Sequence, residues 1–227
     1  MHIILAWAFV AFSIHFGLSK IMKHNGFEYV DLGLPSGTKW ATCNVGAKSE
    51  TDYGLYFAWG GNKGCSSQNG AKLFDRRNYK FSNSTSSSTF TKYNSTDGKT
   101  VLDLEDDAAY VYMGGRWHMP SSEQIKELIT NTESAWIIDY HGSGVNGRLF
   151  TSNINGEKLF FPACAMLFVD HCYGLNNSGS FWSNSIGSYY SDFGKYLWFN
   201  QSGIGIANGN RVCGLGVRGV FNTFWTK

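Results

Sequence analysis

Proline is scarce in this chain of 227 residues, with 3 in all, and charge is thin, since Asp, Glu, Lys and Arg together make up only 16% of it. A rigid Pro-rich spacer is therefore excluded, and the outer surface must be built from Ser, Asn, Thr, Gly and Tyr rather than from ion pairs. The net charge is +2 and the basic residues are scattered, so no field steers the molecule toward phosphates and nucleic acid is not an expected partner. No Cys-x-x-Cys pair occurs among Cys43, Cys65, Cys164, Cys172 and Cys213. Their odd number leaves at least one thiol unpaired in a monomer, and neither a zinc site nor a disulfide framework is indicated; a lone Cys164–Cys172 bridge stays open, because pairing is not legible from spacing. His-Glu-x-x-His, Gly-x-Ser-x-Gly and phosphate-loop patterns are missing too, so no cofactor, resident metal or hydrolytic site is expected. An apolar run long enough to span a bilayer is also lacking. The longest runs unbroken over 3–12 and continues through Ile14 and Phe16 to Leu18 before Lys20 and Lys23 close it. That falls short of the roughly 20 residues a spanning helix needs and suits a signal-peptide core or short anchor, the bland alternative being an ordinary buried helix.

What is present can bury a core: hydrophobic residues make up 43% of the chain and aromatics 16%. The length suits one large domain, expected at 26–227, behind an apolar appendage at 1–25. From Gly26 onward aromatic and β-branched residues are broken by Gly, Asn and Ser, the pattern of short strands and turns. A strand over 29–34 runs into Pro35-Ser36-Gly37 and a second resumes at 39–43. The stretch 60–100 is rich in Ser, Asn, Thr and Gly and reads as a long surface loop. Two helices follow. The first, 102–112, opens on Asp103, Glu105, Asp106 and Asp107, which suit the positive end of a helix dipole and a solvated face, and it stops at Gly114-Gly115. These acids lack the Asp-x-Asp-x-Asp-Gly order of a calcium loop. The second is announced by Pro120-Ser121-Ser122-Glu123, a Ser cap with Glu or Gln in the first turn, and turns Ile125, Leu128 and Ile129 to one side as far as Asn131. Hairpins are predicted at 147–152 with 157–161 across Asn155-Gly156, and at 195–201 with 204–207 across Ser202-Gly203, with a closing strand at 212–220. Helices in the middle and strands at both ends make an α+β architecture.

Several motifs then carry a resemblance. They are Tyr29-Val30-Asp31-Leu32-Gly33-Leu34-Pro35-Ser36-Gly37-Thr38-Lys39-Trp40-Ala41-Thr42-Cys43-Asn44-Val45-Gly46, Tyr56-Phe57-Ala58-Trp59-Gly60, Leu104-Glu105-Asp106-Asp107-Ala108-Ala109 and Trp117-His118-Met119-Pro120-Ser121, with Phe181-Trp182-Ser183, Tyr196-Leu197-Trp198-Phe199 and Gly214-Leu215-Gly216-Val217-Arg218 toward the end. Over 27–220 the chain resembles the Fibrobacter succinogenes major paralogous domain family, departing from it at Gly219, where the family has proline. The resemblance implies a C-type-lectin-like fold, two helices on small twisted antiparallel sheets with long surface loops. It also implies a secreted or cell-surface protein, carried by a bacterium or by a phage. The final fifty residues resemble the variable targets of diversity-generating retroelements.

Composition points the same way, since Gly, Ser, Asn and Tyr supply 23 of the 37 residues from 174 to 210. Antibody paratopes favour these four, although Gly, Ser and Asn also mark turns. The candidate ligand-binding residues are Asn184, Ile186, Ser188, Tyr189, Tyr190, Asp192 and Phe193 as an exposed loop patch, with Asn200, Asn208, Asn210, Val212 and Cys213 along its edge. Trp182, Leu197, Phe199 and Val217 are expected in the core. The reading is a non-enzymatic protein that presents a variable surface to a protein or glycan on another surface. An invariant carbohydrate-binding or adhesin module is the alternative. Calcium-dependent sugar binding lacks its acids, since Trp182-Ser183-Asn184-Ser185 has none and only Asp170 and Asp192 lie nearby. An oxidase resembling formylglycine-generating enzymes would need a reactive pair, for which Cys172 and Cys213 are the only candidates, marked by nothing but the neighbouring His171. His118 and His141 read as turn or surface residues.

Overall fold

The computed structural model describes residues 22–66, 71–83, 90–169, 171–187 and 192–223. The apolar run at 3–18 and the candidates Ser188, Tyr189 and Tyr190 lie outside these, as does Asp170. No helix among the described residues is long and apolar enough to cross a membrane.

Strand β1 (Met22–His24) and β2 (Phe27–Val30) form a hairpin that pairs His24 with Phe27 across Asn25 and Gly26, both at positive φ. Asn-Gly is the pair that tolerates such a turn. Residues 22–25 therefore belong to the domain, not to the appendage in which the sequence pattern places them. β3 (Thr38–Asn44) pairs with β2 antiparallel, as the opening motif predicts, with Val30 opposite Trp40. After the short β4 (Tyr56–Phe57), a 3-10 turn at Leu104–Asp106 leads into α1 (Ala108–Met113), whose N-cap Asp107 accepts from the Tyr110 amide and which ends on Gly114. α2 (Ser122–Thr130) has the expected capping box, closed between Ser121 and Gln124. Its apolar side sets Ile125 and Leu128 in the core.

β5 (Thr132–Ile137), β6 (Gly147–Ser152) and β7 (Lys158–Pro162) form an antiparallel sheet that contains the predicted Asn-Gly hairpin, followed by a small hairpin of β8 (Met166–Phe168) and β9 (His171–Tyr173). Then come β10 (Ser178–Ile186), β11 (Phe193–Asn200), β12 (Ile204–Asn210), β13 (Leu215–Gly216) and β14 (Arg218–Asn222). The closing strand is split. β13 joins a five-stranded sheet in the order β12-β11-β10-β13-β4, while β14 joins a four-stranded one in the order β1-β2-β3-β14. All ten residues from 211 to 220 are buried, so this stretch ties the two sheets together from inside. The result is α+β, with two α-helices among small, mainly antiparallel sheets in the described residues.

β10 divides two cores, because successive side chains on a strand point to opposite faces. Trp182 enters one core with Trp59, Tyr79, Phe90, Tyr93 and Trp117, and Phe181 enters the other with Trp40, Phe161, Leu197 and Phe199. The expected core residues Trp182, Leu197, Phe199 and Val217 are at most 1% exposed. Two indoles lock the first core reciprocally: Trp59 Nε1 donates to the Ser183 carbonyl at 2.8 Å and Trp182 Nε1 to that of Phe57 at 2.7 Å.

Two expectations need correction. The stretch 60–100 is not merely a surface loop, since it delivers Phe74, Tyr79, Phe81, Phe90 and Tyr93 to the cores. Its polar composition supplies the turns between those anchors. The acidic opening of the predicted first helix is solvated only in part: Asp107 caps α1 as expected and Glu105 is exposed. Asp106 and Asp107 are both buried, Asp107 accepting the Met119 amide through both oxygens at 3.0 and 2.8 Å, and Asp106 binding Lys80 and Lys92.

Candidate functional site

The predicted residues do not all meet. Those that do gather at one end of the β10–β12 sheet, where Ile186 faces Gly194 and Phe193 faces Asn210 across neighbouring strands. Asn208 is exposed here and Phe193 half-buried. Asn184 and Ile186 are half-buried and less open than a loop patch would be, because their amides donate to Pro120 and Thr100 and they belong to β10. Asn200 sits at the far end of β11, seven residues from Phe193, which at strand rise is about 23 Å away. Its Oδ1 accepts from the amides of Ser202 and Gly203, so it builds the turn there. Val212 and Cys213 are not an exposed edge either, being 3% and 6% exposed.

Arg211 explains their burial. Its guanidinium is fully buried, donates to the Tyr79 hydroxyl at 2.9 Å and to the carbonyls of Tyr93 and Lys92 at 3.0 Å each, and lies 4.7 Å from the Phe90 ring centre and 4.8 Å from that of Trp59. Burial lowers its pKa, with Tyr79 and the Asp192 carboxylate opposing. Its backbone is held as well, the amide by the Asp192 carbonyl and the carbonyl by the Trp59 amide. An anchor of this kind fixes the turn 210–213 against the aromatics of the 74–93 stretch. Asn210 Oδ1 accepts from the Val212 amide at 3.2 Å and completes the turn.

Two cavities open beside this turn. One, of about 430 Å³, is walled by Ala58, Asn62, Lys63, Leu73, Phe74 and Val212; the other, of about 330 Å³, by Arg76, Phe168, Val169 and Asn210; Asp75 and Val212 line both. Of the predicted residues, Asn210 and Val212 thus face concave space, with Val212 as a buried wall. The sequence reading missed the other walls, above all 71–80. The signal was present as Phe74-Asp75-Arg76-Arg77, three consecutive charges behind an aromatic in a stretch rich in Ser, Asn, Thr and Gly.

Most glycines of the candidate region are not at positive-φ turn positions. Of the seven from 174 to 210, only Gly174 has a positive φ. A Cβ on Gly194 would lie 2.5 Å from Trp59, one on Gly179 2.1 Å from Phe199 and one on Gly209 3.1 Å from Trp182. They are seats for rings on the sheet faces.

Other chemistry is placed elsewhere or quenched. Oxygens of Asp103, Glu105 and Asp106 lie within 4.8 Å of one another, but the Lys92 ammonium sits among them at 2.7, 3.2 and 2.6 Å and supplies the cation itself. Cys43, Cys164, Cys172 and Cys213 form no disulfide, and burial pushes the thiols of Cys164 and Cys213 up to about 12 and about 11. Cys172 is exposed on β9. His118 is bridged to Val220, and His141 is exposed in a turn at positive φ.

A scan of protein-family models and searches of curated proteins and of solved structures found no match to this chain.

Proposed function

We propose that this chain is a non-enzymatic ligand-binding protein of C-type-lectin-like fold, related to the Fibrobacter succinogenes major paralogous domain family and presented at a cell surface or secreted. Its ligand is a protein or glycan on another surface. The observation that carries this reading is the pair of adjoining cavities at the sheet end where the Gly-, Ser-, Asn- and Tyr-rich stretch terminates. Largely preformed concave sites with apolar walls and a few polar groups are the usual form of a binding site. Burial raises the pKa of both Cys172 and Cys213, which speaks against an oxidase, since the thiolate is the reactive form.

Within this reading two versions differ. A retroelement-diversified face needs positions that tolerate any side chain, and Asn208, exposed on β12, is a place for one. The glycines seated against rings favour an invariant carbohydrate-binding or adhesin module at their own positions. Adenine-rich codons confined to the tolerant positions, with a template repeat nearby, would decide for diversification.

The test is a glycan and surface-protein array probed with the full chain, with and without chelator, beside a Tyr189→Ala/Tyr190→Ala/Phe193→Ala variant. Binding that the variant loses and chelator leaves intact is expected. Binding that survives the triple change, or that chelator abolishes, would overturn the assignment and return a calcium lectin to first place.

A further inference from the structure

We infer that the smaller cavity is a carboxylate-reading subsite centred on Arg76, and that the group it takes is a uronic-acid-type sugar. The inference rests on the reading of this corner as a ligand-binding face and names the class of ligand. Its first support is an imbalance in hydrogen bonding. Nε and Nη2 of Arg76 are buried and have no hydrogen-bond partner, while the guanidinium lies over Phe90 with its carbon 4.6 Å from the ring centre. Buried donors of a charged group are costly when left unmet, and Arg76 lines the cavity, so a guanidinium turned toward it would gain a partner from a ligand there.

Charge gives the second support. Arg77 is paired with Asp75 at 3.1 Å, and Asp75 also accepts from the Asn78 amide at 2.9 Å. Burial alone would raise the Asp75 pKa, but these two donors prevail and hold it low, so the carboxylate is ionised and in use. Asp192 acts on Arg211. Among the described residues the smaller cavity is therefore lined by two guanidinium groups, of Arg76 and Arg77, against one carboxylate, of Asp75. One surplus cation matches a singly charged carboxylate, whose planar oxygens fit the guanidinium fork, better than a doubly charged phosphate.

The walls select a sugar over an acidic peptide. A peptide strand added along this wall would need free main-chain donors, yet the amides of Val169, Val212 and Cys213 are already spent on the Phe74 carbonyl and on Asn210. What is left is an apolar wall of Phe168, Val169 and Val212 for the C–H face of a ring, with the Nδ2 donor of Asn210 for a hydroxyl. A volume of about 330 Å³ suits a ligand of that size.

The experiment is an NMR titration of the full chain with methyl β-glucuronoside and methyl β-glucoside, which differ only in the carboxylate. Inorganic phosphate and a blocked Glu-Glu dipeptide serve as rival anions, and Arg76→Gln and Arg76→Lys as variants whose folding is checked by near-ultraviolet circular dichroism. Expected is a preference for the glucuronoside of about tenfold or more, read at the amides of Phe168, Val169 and Asn210, weakened by salt, erased in Arg76→Gln and partly kept in Arg76→Lys. Equal affinity for the two glycosides, an unchanged preference in Arg76→Gln, or tighter binding of phosphate or dipeptide at these amides would overturn it. If the subsite fails while array binding is still lost in the triple variant, the binding face stands and only its carboxylate specificity falls.

Discussion

Arg218 and Arg76 each lay a guanidinium over a phenylalanine, at 4.3 Å from Phe161 and 4.6 Å from Phe90, and the resemblance ends there. Arg218 is fully buried and every nitrogen of its guanidinium has a partner: Nε donates to Asn44 Oδ1 at 2.8 Å, Nη1 to the carbonyls of Ala41 and Thr42, and Nη2 to that of Phe160 at 3.1 Å. Burial pulls its pKa down to about 10, and the four acceptors are what make an ion tolerable there. Arg76 leaves two buried nitrogens unmet beside a cavity. Donor satisfaction, more than burial, separates the arginine that holds two sheets together from the one kept for a ligand.

The largest effect should come from removing the satisfied member. Arg218→Met strands three backbone carbonyls and Asn44 in the interior, and a loss of about 3–5 kcal/mol in urea unfolding is expected. A loss below about 1 kcal/mol would mean that the carbonyls find other partners and that the contrast between the two arginines is superficial. Next to it in the chain, Gly219 occupies the irregularity in the β14–β3 register, and a Cβ there would lie 2.7 Å from Met113 Sδ and 3.1 Å from Trp117. Gly219→Ala should cost about 1–3 kcal/mol by overpacking, read as a lowered Tm. The same crowding shows why this position carries no side chain.

A third change probes the acidic cluster. Burial would raise the Asp106 pKa, but hydrogen bonds from Lys80, Lys92 and Tyr93 outweigh it and hold it low; Asp103 is held low chiefly by Lys92. Both folded values lie below the unfolded ones, so the unfolded chain takes up protons first as pH drops. The stabilisation is whole above the unfolded carboxylate range near pH 4 and is lost as pH falls through the lowered folded values. Lys92→Met should cost about 1–2 kcal/mol at pH 7 and flatten that acid limb in urea titrations at stepped pH. An acid limb of unchanged slope would show that the cluster is not the titrating element.

Local signals made much of this fold legible. The Ser121/Gln124 box and the Asn155-Gly156 hairpin each act within a few residues, where spacing alone determines geometry. The Asn25-Gly26 hairpin carried the same signal and was masked by the apolar run before it. What was not legible depends on partners far along the chain. Arg211 buries Val212 and Cys213 only because Tyr79, Phe90 and Tyr93 arrive from a stretch that reads as loop. Composition cannot tell a glycine that seats an indole, as Gly194 does, from one that marks a turn, and so the candidate surface was drawn too wide at Asn200 and too far inward at Cys213.

The smallest expected effect is the sharpest test of the contrast. Arg76→Met keeps an apolar contact with Phe90 and removes the two orphaned donors, so without ligand the variant should match the parent in urea unfolding within about 0.5 kcal/mol or exceed it. Stability held in reserve for a ligand is released when the reserved group is deleted, whereas a structural arginine can only be lost at a cost. A drop of more than about 1 kcal/mol in Arg76→Met would put Arg76 beside Arg218 among the structural residues, and its unmet nitrogens would then speak of packing alone.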